Sequence, residues 1–247
     1  MGNKLITRRR EMVFESSGGG GGGGSDPWDA LFAAINNGTY QTDYSIGDLI
    51  PLDLGTEGEI NMQIVAFDAD TLASGQGTAP VSLISEGLLA TQRRINPAYD
   101  ENYGEGTGTI GGWKKSEIRD VLISDIKPLI NSGIRSHIVS VNKYTTSVDT
   151  SGTFTHNELT ADELWLPSFR EMMNNTTYET QGPAYNRIFN SAASRQKKQN
   201  NNFQNWWLRS ADESTRAFKR VLWNGNVISN DVANALLYSI ALGFCVG

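Results

Sequence analysis

The sequence of 247 residues contains a single cysteine, Cys245, and only two histidines, His137 and His156. One cysteine excludes an intramolecular disulfide and any zinc site built from several thiolates. Two histidines, with no acidic or thiol partner at a fixed spacing, leave few routes to metal catalysis or to a Ser-His-Asp triad. The composition therefore favours binding over catalysis. We expect no enzymatic activity, no metal and no cofactor, with Cys245 buried and His156 on the surface.

Long apolar runs and an excess of positive charge are also lacking. No apolar stretch approaches the roughly 18 residues that a membrane helix needs, so no membrane span is predicted. The chain carries 21 Lys and Arg against 27 Asp and Glu, a formal net charge of −6. This acidic balance argues against a nucleic-acid partner. Hydrophobic residues make up 38% of the chain, which is typical of a folded protein.

The N-terminal segment differs in composition from the rest. Residues 1–17 contain the basic cluster Arg8-Arg9-Arg10, and no apolar stretch of seven or more residues follows it, so no secretory signal is predicted. Residues 18–25 are seven glycines and Ser25, which is typical of a flexible linker because polyglycine has no side chains to pack. We therefore expect a docking tail (1–17), a linker (18–25) and one folded domain (26–247).

Residues 26–247 show short strand patterns, two helices and long loops. A helix is predicted from Asp26, its N-cap, with Pro27 at the first position, and a longer helix over residues 111–130, closed by residues 131–133. Ser168 followed by Glu171 predicts a capped helical turn. Strand patterns occupy residues 60–67, 81–85, 138–143, 163–167 and 239–246, and the polar residues 196–205 are predicted to be a loop. The fold class predicted is α+β with short antiparallel sheets.

Two patterns near the C-terminus are more specific. Asn224-Gly225 lies between two β-prone runs, 217–223 and 226–230, and is a strong hairpin signal. Trp, Leu and Ile among Arg and Asn in this hairpin fit either a recognition surface or an ordinary sheet edge. In residues 239–246 large apolar residues alternate with Ser, Ala, Gly and Cys, which predicts a strand buried inside a sheet.

An ordered series of segments resembles a C-type-lectin-like domain family of gut bacteria and phages. The segments are Tyr44–Asp48, Gly111–Arg119, Ile138–Thr145, Leu164–Ser168 and Asn205–Ser210, the last reading NWWLRS. The resemblance spans about residues 44–247 and implies a C-type-lectin-like fold. The chain departs from the family at its end, Gly243–Gly247, where the family usually reads G-V-R-P-A, and the register of the last strand is left open.

Members of this kind are often the variable proteins of diversity-generating retroelements, in which Asn codons are rewritten at adenines. The resemblance then implies a variable region at about residues 206–240, made of residues that such codons reach. The candidate ligand-binding positions are Asp212, Arg216, Arg220, Leu222, Ile228, Ser229, Asn230, Asp231, Asn234, Leu236 and Leu237. Trp, Lys and Glu codons are never reached, so Trp206, Trp207, Glu213, Lys219 and Trp223 are expected to be scaffold, together with Arg209.

The function that follows from the resemblance is ligand binding by a display protein. We expect a phage tail receptor-binding protein on the virion, attached to the tail or another assembly through residues 1–17, with a homotrimer as one possible state. Its target is a host-surface protein or glycan, and these two remain open. The alternatives are a bacterial cell-surface adhesin without diversification and a formylglycine-generating-type enzyme. The single Cys245 disfavours the enzyme, and calcium-dependent sugar binding is disfavoured because Trp223-Asn224 continues with Gly225 and no Glu-Pro-Asn type tripeptide is present.

Overall fold

The computed structural model describes residues 26–96, 109–213, 217–232 and 237–247, with the backbone alone for residues 229–232. The expected docking tail and polyglycine linker lie outside the described residues, as do Arg216, Asn234 and Leu236. The helices are α1 (Pro27–Asn36), α2 (Tyr40–Asp43), α3 (Glu117–Val121), α4 (Ser132–Arg135), α5 (Phe169–Met173) and α6 (Ala192–Arg195).

The strands are short and numerous. They are β1 (Leu49–Asp53), β2 (Glu59–Phe67), β3 (Val81–Ser85), β4 (Ile138–Val139), β5 (Val141–Val148), β6 (Phe154–Asp162), β7 (Leu164–Trp165), β8 (Lys198–Gln199), β9 (Asn202–Phe203), β10 (Trp206–Ala211), β11 (Ala217–Val221), β12 (Val227–Val232) and β13 (Gly243–Val246). Each pairing between these strands is antiparallel. The predicted α+β class with short antiparallel sheets is therefore confirmed.

The first helix is as predicted. The Asp26 side chain caps α1 by accepting a hydrogen bond from the backbone N–H of Trp28 at 2.9 Å, and Pro27 occupies the first turn. The buried Trp28 indole donates to the carbonyl of Pro51 at 2.7 Å, which joins the helix to β1. Burial of this helix face against the sheet, more than helix propensity, holds so short an element in place.

The predicted helix over residues 111–130 is broken into pieces. A 3₁₀ turn (Trp113–Lys115), α3, a π turn (Leu122–Ile126) and a second 3₁₀ turn (Lys127–Leu129) follow one another. The apolar stripe still faces the core, but Pro128 has no N–H to donate and its ring disfavours a regular turn before it. Asn131, expected to end the helix, instead caps the start of α4 by accepting from Gly133 N–H at 2.8 Å.

The C-terminal strand lies in the middle of the largest sheet. This sheet has six strands in the order β1-β2-β3-β13-β4, with β7 also paired to β13. Gly243 pairs with Ile84 of β3 on one side and with Trp165 of β7 on the other, so the register left open by the sequence is defined. All four residues of β13 are buried, as predicted for a strand enclosed by a sheet.

The small side chains of β13 face a crowded layer of the core. A Cβ atom at Gly243 would lie 2.3 Å from Cζ3 of Trp165, so only glycine fits there. Two residues on, the Cys245 thiol lies 3.5 Å from Oγ of Ser82 and is fully buried, as predicted. The alternation of large and small residues therefore reflects what packs on each face of the strand.

The remaining sheets lie beside this core. One has three strands in the order β10-β11-β12, and β5-β6 and β8-β9 are separate hairpins. Residues 196–205 were predicted as a loop, but β8 and β9 pair within them because Asn200 and Asn201 both adopt positive φ, 49° and 67°. Asparagine tolerates this conformation better than most residues, and two in succession form a tight hairpin turn.

Candidate functional site

A fully buried network of four charged side chains lies behind the β10-β11-β12 sheet. Lys143 of β5 donates to Asp70 Oδ1 at 2.6 Å and to Glu171 Oε1 at 3.0 Å. Arg209 of β10 binds Glu171 through both ends of its guanidinium, at 2.6 and 2.9 Å. The two positive and two negative charges balance, and each side chain is at most 2% exposed.

Neutral groups also contact this network. The Tyr185 hydroxyl donates to Asp70 Oδ2 at 2.7 Å, and the ammonium of Lys143 lies 3.4 Å from the centre of the Trp165 ring. Burial opposes ionisation of Glu171, but the charges of Arg209 and Lys143 outweigh it and lower its pKa to about 2. The network is therefore a set of buried ion pairs that fixes β10 to β5 and α5.

Cys245, the single thiol of the chain, lies beside this network but is not activated as a nucleophile. Burial, followed by the charge of Asp70, raises the pKa of Cys245 well above its usual value. The buried Tyr185 hydroxyl has its pKa raised for the same two reasons. His156, the other group considered for chemistry, is exposed as expected, and its Nδ1 lies 2.8 Å from the carbonyl oxygen of Tyr178.

One face of the β10-β11-β12 sheet carries two of the predicted binding positions, Arg220 and Ile228. Arg220 pairs with Trp207 on one neighbouring strand and with Ile228 on the other, so the three side chains share a face. The Arg220 guanidinium lies 4.5 Å from the ring centre of Tyr238, which in turn lies 4.8 Å from the ring centre of Trp207. A stack of side chains thus runs from the core to the surface.

The other predicted binding positions fall into three groups. Leu222 is half-buried beside the hairpin turn, and Leu237 is 55% exposed. Asp212 is partly enclosed, because its Oδ1 accepts from the Tyr178 hydroxyl at 3.2 Å and lies 3.7 Å from the Lys219 ammonium. The side chains of Ser229, Asn230 and Asp231 lie outside the described residues.

The expected scaffold residues lie in two different places. Trp206, Trp207 and Arg209 are buried, and the Trp207 indole donates to the carbonyl of Arg93 at 2.8 Å. Trp223 differs from them, because its side chain is 59% exposed at the hairpin turn. Trp223 therefore belongs to the surface that the hairpin presents, whether or not its codon can vary.

The hairpin turn itself is the three-residue kind. Leu222 accepts from the N–H of Gly225 at 2.8 Å, and its own N–H donates to Asn226 at 2.8 Å. Gly225 has φ of 82°, which completes a type I turn followed by a left-handed residue. The hairpin predicted from Asn224-Gly225 is confirmed.

The turn is anchored by residues that are distant from it in the sequence. Trp223 donates its N–H to Oδ1 of Asn205 at 2.9 Å and accepts at its carbonyl from Nε2 of Gln196 at 3.1 Å. Arg195 donates to the carbonyl of Gly225 at 3.0 Å. These contacts join residues 18 to 30 positions apart, so no local pattern could have revealed them.

Lys197, next to these anchors, is buried, and no carboxylate among the described residues forms an ion pair with it. Its ammonium donates to the carbonyl of Ser85 and, at 3.4 Å, to that of Glu86. Burial lowers its pKa from the usual 10.5 to about 7, and the charge of Glu86 opposes this only in part. Lys197 is therefore expected to change charge in the folded protein near neutral pH.

Replacing Lys197 with methionine is expected to remove part of the pH dependence of stability. Between pH 7 and 10.5 the unfolded chain binds a proton at this lysine and the folded chain does not, so the free energy of unfolding rises with pH. The slope from this group is at most about 1.4 kcal/mol per pH unit. Urea denaturation at pH 7, 8 and 9 measures it, with the exposed neighbour Lys198→Met as control. Equal slopes in the wild type and Lys197→Met would contradict the assignment.

The fold and the site define an α+β protein in which a small antiparallel sheet is anchored by buried side chains and carries an exposed hairpin turn. The chain belongs to the family DUF6273, a domain of unknown function, whose match covers residues 83–238. No curated protein and no solved structure matches the chain. Across the part of the chain that the structure describes, no helix could cross a membrane, and no three His, Cys, Asp or Glu residues are grouped as metal ligands would be.

Proposed function

We propose that this protein binds a ligand through the hairpin turn between β11 and β12, together with Arg220, Ile228 and Leu237. The observations that carry the proposal are the exposure of Trp223 and Leu237 and the partial exposure of Arg220 and Ile228, which pair across neighbouring strands. Exposed Trp and Arg side chains are the residues that most often dominate binding energy. We refer to these four residues as the hairpin face.

Rigid support is what makes such a face effective. The buried pair Trp206-Trp207 and the ion pairs of Arg209 hold β10, while Gln196 and Asn205 hold the turn. A face that is ordered before binding does not pay the entropy of ordering loops on contact. Side chains on it can change while the support behind them stays constant.

The finer proposals rest on the sequence resemblance. We propose a C-type-lectin-like fold, diversification of the hairpin face by a retroelement, and display on a phage tail through residues 1–17. A bacterial surface adhesin of the same fold without diversification is the alternative. The burial of the single thiol weighs against an enzyme of the formylglycine-generating type.

The proposal predicts that the hairpin face tolerates substitution. The double variant Ile228→Ser and Leu237→Ser is expected to lose less than about 1 kcal/mol of stability, because neither side chain is fully buried. The control is Trp207→Phe, which loses buried area and the hydrogen bond to Arg93, and is expected to cost about 2 kcal/mol. Thermal and urea denaturation measure both. A larger loss in the double variant than in the control would show that the face is part of the core.

Diversification has a separate genomic test. Sister genomes are expected to differ at adenine-derived positions between Asp212 and Leu237, with an adjacent reverse transcriptase gene and template repeat. Identical sequences over this range, without those neighbours, would reject diversification. The flanking genes also separate a phage tail protein from a bacterial adhesin.

A further inference from the structure

Trp223 is the most exposed of the large hydrophobic side chains that the structure describes, at 59%. Its backbone is nevertheless held on both sides, by Asn205 at its N–H and by Gln196 at its carbonyl. The exposure of this indole does not stabilise the fold. The indole is a rigid flat surface, which is what a stacking ligand requires.

The residues that form and anchor this turn are rich in amides. Seven of the ten residues 196–205 are Asn or Gln, Asn224 lies within the turn, and Asn226 follows it. No Asp or Glu occurs in the sequence from residue 180 to residue 211. Of the three cations in residues 195–205, Lys197 is buried, Arg195 binds the Gly225 carbonyl, and the Lys198 ammonium lies 5.0 Å from the Phe203 ring centre.

The amides that hold Trp223 retain hydrogen-bonding capacity. Asn205 uses Oδ1 to accept from Trp223, and its Nδ2 makes no hydrogen bond within the described residues. Gln196 uses Nε2, which leaves Oε1 as an acceptor. The exposed Asn226 adds a further side-chain amide on the other side of the turn. Neutral donors and acceptors are thus held at the turn that carries the indole.

We propose that Trp223, Gln196, Asn205 and Asn226 form a binding subsite for a neutral glycan. The apolar C–H face of a sugar ring stacks on an indole, and its hydroxyl groups both donate to and accept from amides. Uncharged amides match a polyhydroxylated neutral ligand. A charged ligand would instead need a countercharge on the protein. This inference rests on the proposed function and narrows the ligand class of the same face.

The tryptophan content of the chain supplies the measurement. Five of the six tryptophans are at most 3% exposed, so acrylamide quenching of fluorescence in the full chain reports mainly on Trp223. The probes are neutral cello-, manno-, malto-, xylo- and chito-oligosaccharides of three to six units. At least one series is expected to protect Trp223 from quenching, and isothermal titration gives its affinity.

Variants separate stacking and hydrogen bonding from structural damage. Trp223→Ala is expected to weaken binding at least tenfold by titration, whereas Leu159→Ala, at an exposed apolar position on β6, leaves it unchanged. Asn205→Asp keeps the acceptor for the Trp223 N–H and removes the Nδ2 donor, so binding is expected to fall about tenfold without a change in melting temperature. Raising NaCl from 50 to 500 mM is expected to change the affinity less than about twofold, because the ligand is uncharged.

Three results would overturn the proposal. They are no protection by any oligosaccharide series, full binding by Trp223→Ala, and a protein ligand that alone depends on Trp223. The substitution test on Ile228 and Leu237 uses no glycan. A tolerant hairpin face combined with a negative oligosaccharide panel would therefore leave the proposed function standing and reject only the glycan.

Discussion

Glu171→Gln is expected to lower the free energy of unfolding by about 3–5 kcal/mol, because it leaves a buried positive charge without its partner. Glutamine can still serve the N-terminal cap of α5, in which the Glu171 side chain accepts from the N–H of Ser168 at 2.7 Å. What it removes is the charge that faces both Lys143 and Arg209. Urea denaturation at pH 7 measures the loss.

A surface ion pair provides the matched control. Glu163 pairs with Lys127, and both side chains are a quarter or more exposed, so Glu163→Gln is expected to cost less than about 1 kcal/mol. Similar losses in the two variants would show that burial of Glu171 does not matter.

The acid limb of the stability curve gives a second readout for Glu171. Its pKa is lowered from 4.5 to about 2 in the folded protein, so the unfolded chain binds the proton first as pH falls. The stability contributed by this carboxylate is therefore complete above about pH 4.5 and is lost between pH 4.5 and 2. The Glu171→Gln variant is expected to show a shallower decline over that range than the wild type. Parallel curves would contradict this assignment.

Gly225→Ala is expected to cost about 3 kcal/mol and to release the hairpin turn. An alanine at φ of 82° is strained by about 1–2 kcal/mol. In addition, the new Cβ would lie 1.8 Å from the carbonyl oxygen of Ala192, which is backbone and must move. Faster hydrogen exchange at residues 222–226, together with the loss by urea denaturation, would show that the turn has left its support.

Gly152 separates the two causes of this loss. It has φ of 84°, close to that of Gly225, but a Cβ there would meet no atom within 4 Å. Gly152→Ala is therefore expected to cost only the strain of about 1–2 kcal/mol. If both variants lose the same amount, contact with Ala192 contributes nothing. Because Trp223 lies within the turn that Gly225 closes, only Gly225→Ala should also weaken ligand binding.

The sequence by itself determined the features whose interactions lie within a few residues. Asp26 capping α1, the Ser168 cap of α5 and the hairpin at Asn224-Gly225 are all local, and the structure confirms each. Such interactions are encoded in short windows because the groups meet with little loop to close. The irregular turns near Pro128 also have a local cause, which is the proline itself. The apolar periodicity of residues 111–130 nevertheless predicted one continuous helix.

The tertiary structure alone decided which of these elements meet. The pattern in residues 239–246 predicted a buried strand, but only the fold places β13 between β3 and β7, with Gly243 against Trp165. Glu171 shows the division most clearly. Its local role in the cap follows from Ser168 three positions earlier, whereas its ion pairs with Lys143 and Arg209 join residues 28 and 38 positions away. Packing of β5, α5 and β10 on a common core excludes water there, and that burial gives the pairs their strength.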